Sequence, residues 1–387
     1  MAMVRPSWKV VAGAGAVLAV IGVIVGYQLL MSAFIHGYYR AQYAPVAVGE
    51  ADLGAPPASF RLTDVPWFSE AAPLCQSLSL RMLAAQQGRV EARSTHDFLM
   101  GFTWGATAIP RRTGFFPGQD PEVGFLRAAP YLGFTRRYLT TDDPDEYVRA
   151  LKTSLSKGRA VRVAVDRALL LEERGAVPHS LVLIGYDEAG FEYYEPTCDD
   201  AGRCTPEDRA AGAPGLKVTT EQLLLAVESQ ALVFQYPWRY QLLVLEPSSA
   251  AVPAPGALLE VNGLALIGWK SQGPSTGSVA VTDTASAIVK HGKGVVTPEL
   301  LRGVRVAAVA RRDDAVALTG LFPARPELAV AAGLLDDAGK QYALAATALE
   351  ANELEQGAQA LEQAAALDKL AGEAMVRLAP DAGAATR

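Results

Sequence analysis

The chain has 387 residues, of which 50% are hydrophobic and 20% are charged. This composition excludes a disordered chain, and the length favours two or three folded units over one small domain. The 35 basic and 41 acidic residues give a net charge of -6, which disfavours a nucleic-acid partner, because nucleic-acid-binding domains usually carry a basic excess. With only three cysteines and four histidines in the chain, we expect no disulfide scaffold, no metal cluster and no cofactor.

An uncharged apolar segment runs from Val10 to Ile35. As a helix it is long enough to cross a hydrocarbon core of about 30 Å, and it exceeds the apolar region of a cleaved signal peptide, which is the alternative. Arg5 and Lys9 precede it, so the positive-inside rule predicts a cytoplasmic stub over residues 1–9. The segment therefore predicts a single-pass protein of a bacterial inner membrane, with the anchor in contact with membrane lipid and the main body in the periplasm.

The remaining chain divides by composition. Residues 36–59 are rich in Ala, Pro and Gly and predict a linker that acts as a tether. Residues 60–246 predict an α+β domain, in which Leu74 to Gln87 has helical periodicity. Short strands are expected at Ala160 to Val165, Ser180 to Tyr186, Phe191 to Glu195, Leu232 to Tyr236 and Gln241 to Leu245, and a Thr-capped helix at Thr219 to Ser229. Residues 247–325 show no motif and receive no assignment.

Cys75 stands where the predicted apolar helix begins. The unpaired N–H groups of a helix N-terminus carry partial positive charge, which favours a thiolate over a thiol. Cys75 is therefore a candidate nucleophile. The alternative is an inert core cysteine, which is the commoner role of a cysteine in an amphipathic helix.

A β-hairpin is predicted from His179 to Glu195, because two apolar runs flank a turn that contains Asp187. With Asp187 at the centre, His179 and Glu195 stand directly opposite each other on one face, where Cβ atoms lie about 4.5–5.5 Å apart. A carboxylate at that distance can orient an imidazole. Taken singly, the alternatives are a core histidine before a strand and a solvent-facing glutamate before Pro196.

A cysteine that opens a helix, a histidine that opens a strand and a carboxylate that ends the next strand follow each other in this chain. This order resembles the papain-like cysteine peptidases, and more specifically the double-glycine leader peptidases that process bacteriocins. The resemblance covers residues 60–246 and implies a helix packed on a small antiparallel sheet. The motifs that carry it are Val65-Pro66, Cys75, His179, Gly185, Glu195 and Pro196.

The resemblance implies that Cys75 is the nucleophile, His179 the general base and acid, and Glu195 the orienting carboxylate. The family has Asp in place of Glu195, and Gly after the nucleophile, where this chain has Gln76. It also has an oxyanion-donating Gln about six residues before the cysteine, where this chain has Ser69. Ser69 and Gln76 are therefore the side-chain candidates for the oxyanion donor, beside the Cys75 backbone N–H.

Cys198 and Cys204 bracket a polar turn. In an oxidising compartment they predict a loop-closing disulfide. The alternatives are a small metal loop that uses Asp199 or Asp200, and two free thiols.

The last part of the chain, residues 326–379, has the composition of a helical hairpin. Gln341 to Lys369 resembles one tetratricopeptide unit, with small residues at the spacings that let two helices approach and Asn352 at the turn. The alternative is any Ala-rich hairpin, since a lone repeat cannot bury its own face. Such helices offer a surface to a protein partner.

Together these features predict a membrane-anchored cysteine peptidase or amidase that acts on a peptide or protein substrate outside the cytoplasm. Two other classes of function fit the same sequence. One is a peptidase-like domain that binds peptides without cutting them, and the other is a structural subunit of a membrane complex.

Overall fold

The computed structural model describes residues 27–69, 75–102, 104–109, 112–117, 120–171, 175–196, 215–270 and 275–380. The helices are α1 (residues 27–43), α2 (Cys75–Gln86), α3 (Arg93–Met100), α4 (Pro121–Tyr131), α5 (Pro144–Ser156), α6 (Arg167–Leu171), α7 (Thr220–Phe234), α8 (Gly256–Ile267), α9 (Gly277–His291), α10 (Pro298–Leu321), α11 (Leu328–Glu350) and α12 (Leu354–Leu378). The strands are β1 (Val46–Ala47), β2 (Phe60–Arg61), β3 (Trp104–Ile109), β4 (Arg112–Pro117), β5 (Phe134–Thr141), β6 (Val161–Asp166), β7 (Pro178–Tyr186), β8 (Gly190–Tyr194), β9 (Leu216–Thr219), β10 (Tyr240–Pro247) and β11 (Ser275–Thr276). This content confirms the predicted α+β class.

The larger of two sheets orders its strands β1-β5-β10-β6-β7-β8-β9, with β2 also paired to β7. Its central strands β6, β7 and β10 are buried along nearly their whole length. Helices α2, α5 and α7 pack on these strands. Because both faces of the sheet are covered, the central strands appear in the sequence as continuous apolar runs rather than as alternating apolar and polar residues. The smaller sheet has the order β11-β3-β4.

Helix α7 begins with a capping box, in which the Thr219 hydroxyl accepts from the Gln222 N–H and the Gln222 side chain accepts from the Thr219 N–H. This cap agrees with the predicted Thr-capped helix. The helix continues to Phe234, however, and ends at Gln235, which has a left-handed φ of 54°. The predicted strand over Leu232 to Tyr236 is therefore wrong. Its apolar run forms the last turn of a helix instead, in which Leu232 and Val233 are exposed.

Residues 36–59, predicted as a linker, carry regular structure that joins the sheet unit. Strand β1 pairs in parallel with β5, and β2 pairs with β7. The last residue of α1, Tyr43, is buried, and its hydroxyl donates to Asp120 Oδ2 over 2.6 Å. Tyr39 of the same helix donates to the Phe234 carbonyl over 2.8 Å. These contacts fix the segment on the domain, so it does not act as a free tether.

The predicted membrane anchor, Val10 to Ile35, lies largely outside the described residues, which begin at residue 27. Across the described ranges, every helix is too short or too polar to span a bilayer. This finding corrects the predicted location as a single-pass inner-membrane protein with a periplasmic body. The described end of the segment belongs to α1, which runs on through His36 and Arg40 to the packed tyrosines.

Helices α8 to α12, hereafter the helical bundle, fill the region from residue 256 onward. The unassigned residues 247–325 thus contribute three of its helices, and α11 and α12 form the hairpin expected from residues 326–379. Their turn contains Asn352 with a left-handed φ of 62°. Helices α8 and α12 approach closely at Gly263 and Gly372, where a Cβ on Gly263 would lie 2.7 Å from the Gly372 carbonyl oxygen.

The bundle and the sheet unit share part of their cores, while Val281, Val304 and Leu361 of the bundle belong to a separate buried cluster. Leu258, Leu266 and Met375 of the bundle belong to the same buried cluster as the residues of the central strands. Helix α10 also contacts α3, and Arg93 pairs there with Asp313. The apolar interior therefore continues across residue 247 without a break.

Candidate functional site

Cys75 is the first residue of α2 and is half-buried with a free thiol. The helix packs on β7 and β6 of the large sheet. In its first turn the Ser79 hydroxyl donates to the Cys75 carbonyl over 2.6 Å, and the Ser180 hydroxyl of β7 donates to Ser79 Oγ over 2.9 Å. These two hydrogen bonds tie the backbone of the cysteine to the residue that follows His179.

His179 lies at the start of β7, paired with Val165 of β6. The ladder between β7 and β8 matches Val182 with Tyr194 and Leu183 with Tyr193. Continued by one step, this register sets Glu195 opposite Leu181 rather than opposite His179. The predicted direct pairing is therefore wrong by two residues. A shift of two residues keeps both side chains on one face of the sheet, and a diagonal pair stays within reach of a long side chain.

The diagonal contact is a short hydrogen bond between His179 Nε2 and Glu195 Oε1, 2.6 Å long. Both side chains are buried, with 4% and 6% of their surfaces exposed. The Trp67 indole N–H donates to the Glu195 carbonyl over 2.9 Å and so fixes the backbone of the acid. The longer side chain of Glu, compared with Asp, suits the diagonal register, because it spans the extra offset between the strands.

Two acidic neighbours act on the His179 ring. Burial alone lowers the pKa of His179, because it disfavours the imidazolium. The charges of Cys75 and Glu195, and hydrogen bonds with both, raise the pKa by more, from 6.5 to about 10. Glu195 contacts Nε2, which leaves Nδ1 as the ring nitrogen available to Cys75. The contacts with Cys75 and Glu195 therefore favour the protonated form of the His179 ring.

The two oxyanion candidates have different surroundings. The Gln76 side-chain oxygen accepts a hydrogen bond from Arg162 Nη2 over 2.6 Å, and Gln76 is half-buried directly after Cys75. Ser69 is also half-buried, in the segment that contains Trp67. Residues 70–74, which join Ser69 to Cys75, lie outside the described residues. The structure thus gives a defined orientation to Gln76.

Cys198 and Cys204 lie outside the described residues, as do Asp199 and Asp200. The predicted disulfide and its metal-loop alternative therefore stay predictions. In the ranges that the structure does describe, no three acidic, histidine or cysteine side chains are grouped so as to hold a metal ion.

Arg162 is a residue of the site region that the sequence did not single out. It is 1% exposed and donates from Nε to Ser180 Oγ over 2.9 Å. It also pairs with Glu122, which is 2% exposed. The available signal was a charge in the middle of the apolar run from Ala160 to Val165, because a charged residue in a central strand must have a buried partner.

Comparison with models of protein families gives no match for the chain, and comparison with curated proteins gives none either.

Proposed function

We propose that the chain is a papain-like thiol hydrolase that cleaves peptide or amide bonds. The observation that carries the proposal is the buried contact of His179 with Glu195 on one side and its interaction with the Cys75 sulfur on the other. A nucleophile, a base and a group that orients the base are the three parts that thiol-based acyl transfer needs.

In the proposed reaction the Cys75 thiolate attacks the substrate carbonyl carbon, and the carbonyl oxygen takes the negative charge. The His179 imidazolium gives its proton to the leaving amine as the C–N bond breaks, which leaves an acyl thioester on Cys75. Water then attacks the thioester and gives a proton to His179. The thiolate leaves, the acid product departs, and the starting ion pair is restored. Glu195 keeps the ring oriented and stabilises its charged form throughout.

The oxyanion needs hydrogen-bond donors, because each donor typically contributes about a hundredfold to a thousandfold in rate. The Cys75 backbone N–H lies at the helix start and is suited to this role. Gln76, the next residue, is the side-chain candidate whose orientation the structure describes, and Ser69 is the second candidate.

One observation favours a second function, peptide binding without cleavage. The position of the family's donor glutamine holds Ser69, whose hydroxyl offers one donor where an amide offers two. A domain with a weakened oxyanion site keeps a cleft for peptides but loses turnover. Measurement of both peptide binding and hydrolysis separates the two functions.

The test is alkylation of Cys75 by iodoacetamide at pH 7, followed by peptide mass mapping to distinguish Cys75 from Cys198 and Cys204. We expect Cys75 to react about tenfold faster than a cysteine in an unfolded peptide, because the neighbouring imidazolium favours the thiolate. His179→Ala should remove this advantage and lower the hydrolysis of a fluorogenic peptide library by about 10²–10⁴.

The matched control is His291→Ala, which replaces an exposed histidine at the end of α9. It should leave both the alkylation and the hydrolysis unchanged. Equal alkylation of Cys75 in the wild type and in His179→Ala would contradict the proposal. Fast alkylation without any hydrolysis, together with retained peptide binding, would favour the second function.

A further inference from the structure

Arg162 lies in β6, beneath the start of the nucleophile helix, and its guanidinium contacts three other elements. It donates to Gln76 of α2 and to Ser180 of β7, and it pairs with Glu122 of α4. Because the side chain is 1% exposed, its charge requires the carboxylate of Glu122. The pair with Glu122 accounts for the charge, but it does not account for the two further contacts, both of which lead to the candidate site.

The first contact fixes the orientation of the Gln76 amide. A guanidinium has only donors, so the amide end that faces Arg162 Nη2 must be the oxygen, at 2.6 Å. The amide NH₂ of Gln76 must then point away from Arg162. Gln76 is half-buried and follows Cys75 directly in the first turn of α2, so its amide is not enclosed in the core.

The second contact fixes the direction of a chain of hydroxyl groups. Arg162 Nε donates to Ser180 Oγ over 2.9 Å, so the Ser180 hydrogen is free to donate to Ser79 Oγ, also over 2.9 Å. The Ser79 hydrogen in turn donates to the Cys75 carbonyl over 2.6 Å. Both serines are fully buried. A single guanidinium thus orders the donors that hold the backbone of Cys75 and the amide of the next residue.

We infer that Arg162 is a positioning residue for the proposed hydrolase, and that it orients the Gln76 NH₂ to donate to the oxyanion of the substrate. This inference rests on the proposed function. It assigns Gln76, rather than Ser69, as the side-chain donor. Arg162 itself does not touch the substrate and acts through the amide that it holds.

The first experiment compares Gln76→Glu with the wild type in steady-state hydrolysis of a peptide substrate. A glutamate still accepts from Arg162 but offers no amide donor, so kcat should fall about 10²–10³ while KM changes little. The rate of Cys75 alkylation should change far less than kcat, because the added carboxylate pairs with Arg162 and the His179 ring is not changed. Such a split shows that the fold and the nucleophile are intact.

The matched control is Gln86→Glu in the last turn of the same helix. Gln86 also hydrogen-bonds through its side chain, to the Gly158 carbonyl over 2.8 Å, but it lies about 15 Å along the helix from Gln76. We expect a wild-type kcat for this variant.

The second experiment tests whether Arg162 acts through Gln76. Arg162→Lys keeps a positive charge for Glu122 but lacks the planar fork that reaches Gln76 and Ser180 together. It should lower kcat at least tenfold in the wild-type background, and by much less in a Gln76→Ala background, because the oriented donor is already absent there.

The outcomes separate the inference from the proposed function. An active wild type whose kcat is unaffected by Gln76→Glu overturns the inference and leaves the hydrolase in place. An equally large effect of Arg162→Lys in both backgrounds overturns it too, since Arg162 then has a purely structural role. A wild type with neither hydrolysis nor rapid Cys75 alkylation overturns the proposed function and the inference with it.

Discussion

Two fully buried arginines, one in the sheet unit and one in the helical bundle, use the same chemistry for different ends. Arg311 of α10 pairs with Asp368 of α12 through Nε at 2.6 Å and Nη2 at 3.0 Å, and Asp368 also accepts from the Tyr342 hydroxyl at 2.7 Å. These partners all lie on bundle helices. Arg162 instead directs one of its donors to the half-buried Gln76, beside a free thiol.

The comparison shows how the partners of a buried arginine differ between a structural role and a position next to the candidate site. Around Arg311 a bidentate carboxylate and a tyrosine close the arrangement, and Asp314 adds a second carboxylate at 3.7 Å. Burial lowers the pKa of Arg311, but the charge of Asp368 and its hydrogen bond raise it by more. Arg162 pairs with a single carboxylate, that of Glu122, and its other donors contact the neutral side chains of Gln76 and Ser180. Through Gln76 it orients a side chain of α2.

We expect the largest effect when the buried ion pair between Arg311 and Asp368 is broken. Arg311→Met leaves Asp368 buried without its counter-charge and should lower the free energy of unfolding by about 3–5 kcal/mol. Urea unfolding measures this loss. Arg312→Met, at the exposed neighbouring position, should change the stability by no more than about 0.5 kcal/mol. A small effect of Arg311→Met would mean that the bundle does not depend on this pair.

A smaller effect is expected on the titration of the site. His179 should titrate with a pKa of about 10, and Cys75→Ser should lower that pKa by about 1 to 3, because the thiolate charge is lost. NMR spectra of the imidazole rings against pH measure both values, and only four histidines are present. Arg311→Met is the control that should leave the pKa of His179 unchanged.

The same titration has a consequence for stability. The folded pKa of His179 lies above its ordinary value of 6.5. The proton on the ring therefore stabilises the fold fully below about pH 6.5, and this contribution is lost as the pH rises through about 10. A pKa of His179 near 6.5 in the folded protein would contradict the ion pair with Cys75.

The smallest effect concerns the length of the acid. Glu195→Asp removes one methylene from a side chain that bridges a diagonal offset, and it should weaken the contact with His179 Nε2 by about 1.5 kcal/mol, or tenfold in kcat/KM. Glu192→Asp, on the same strand and paired with Arg61, is the control with no expected effect on hydrolysis. A wild-type rate for Glu195→Asp would show that the register does not require the longer acid.

The sequence predicted which residues come together better than it predicted the strand register that brings them into contact. His179 and Glu195 were placed on one face by counting from Asp187, and the count survives a two-residue error because strand side chains alternate with a period of two. The sequence around the bulge between Leu183 and Gly185 does not indicate which way the bulge shifts the strand register. Gly185 itself is explained only by the fold, since a Cβ there would lie 2.8 Å from the Phe60 carbonyl oxygen of β2.

Other parts of the structure depend on contacts between residues that are distant in sequence, and hydrophobic periodicity cannot predict such contacts. Arg162 meets Gln76, Glu122 and Ser180, which come from three different elements, so no spacing along the chain reveals the group. Helix α8 is apolar on several sides because it is covered by both α12 and the sheet unit, and it therefore lacks the one-sided pattern of a surface helix.

The contact between Gly263 and Gly372 sets an order of events on the ribosome. The two glycines lie in the first and the last helix of the bundle, so α8 lacks its main helical partner until α12 has been synthesised. The strands that carry His179 and Glu195 leave the exit tunnel much earlier, and N-terminal units fold first during synthesis. Nascent chains therefore pass through an interval in which Leu266 and Ile267, which lie against Gly372 of α12, lack that cover, and chaperones that recognise exposed apolar side chains have their longest access to this protein then.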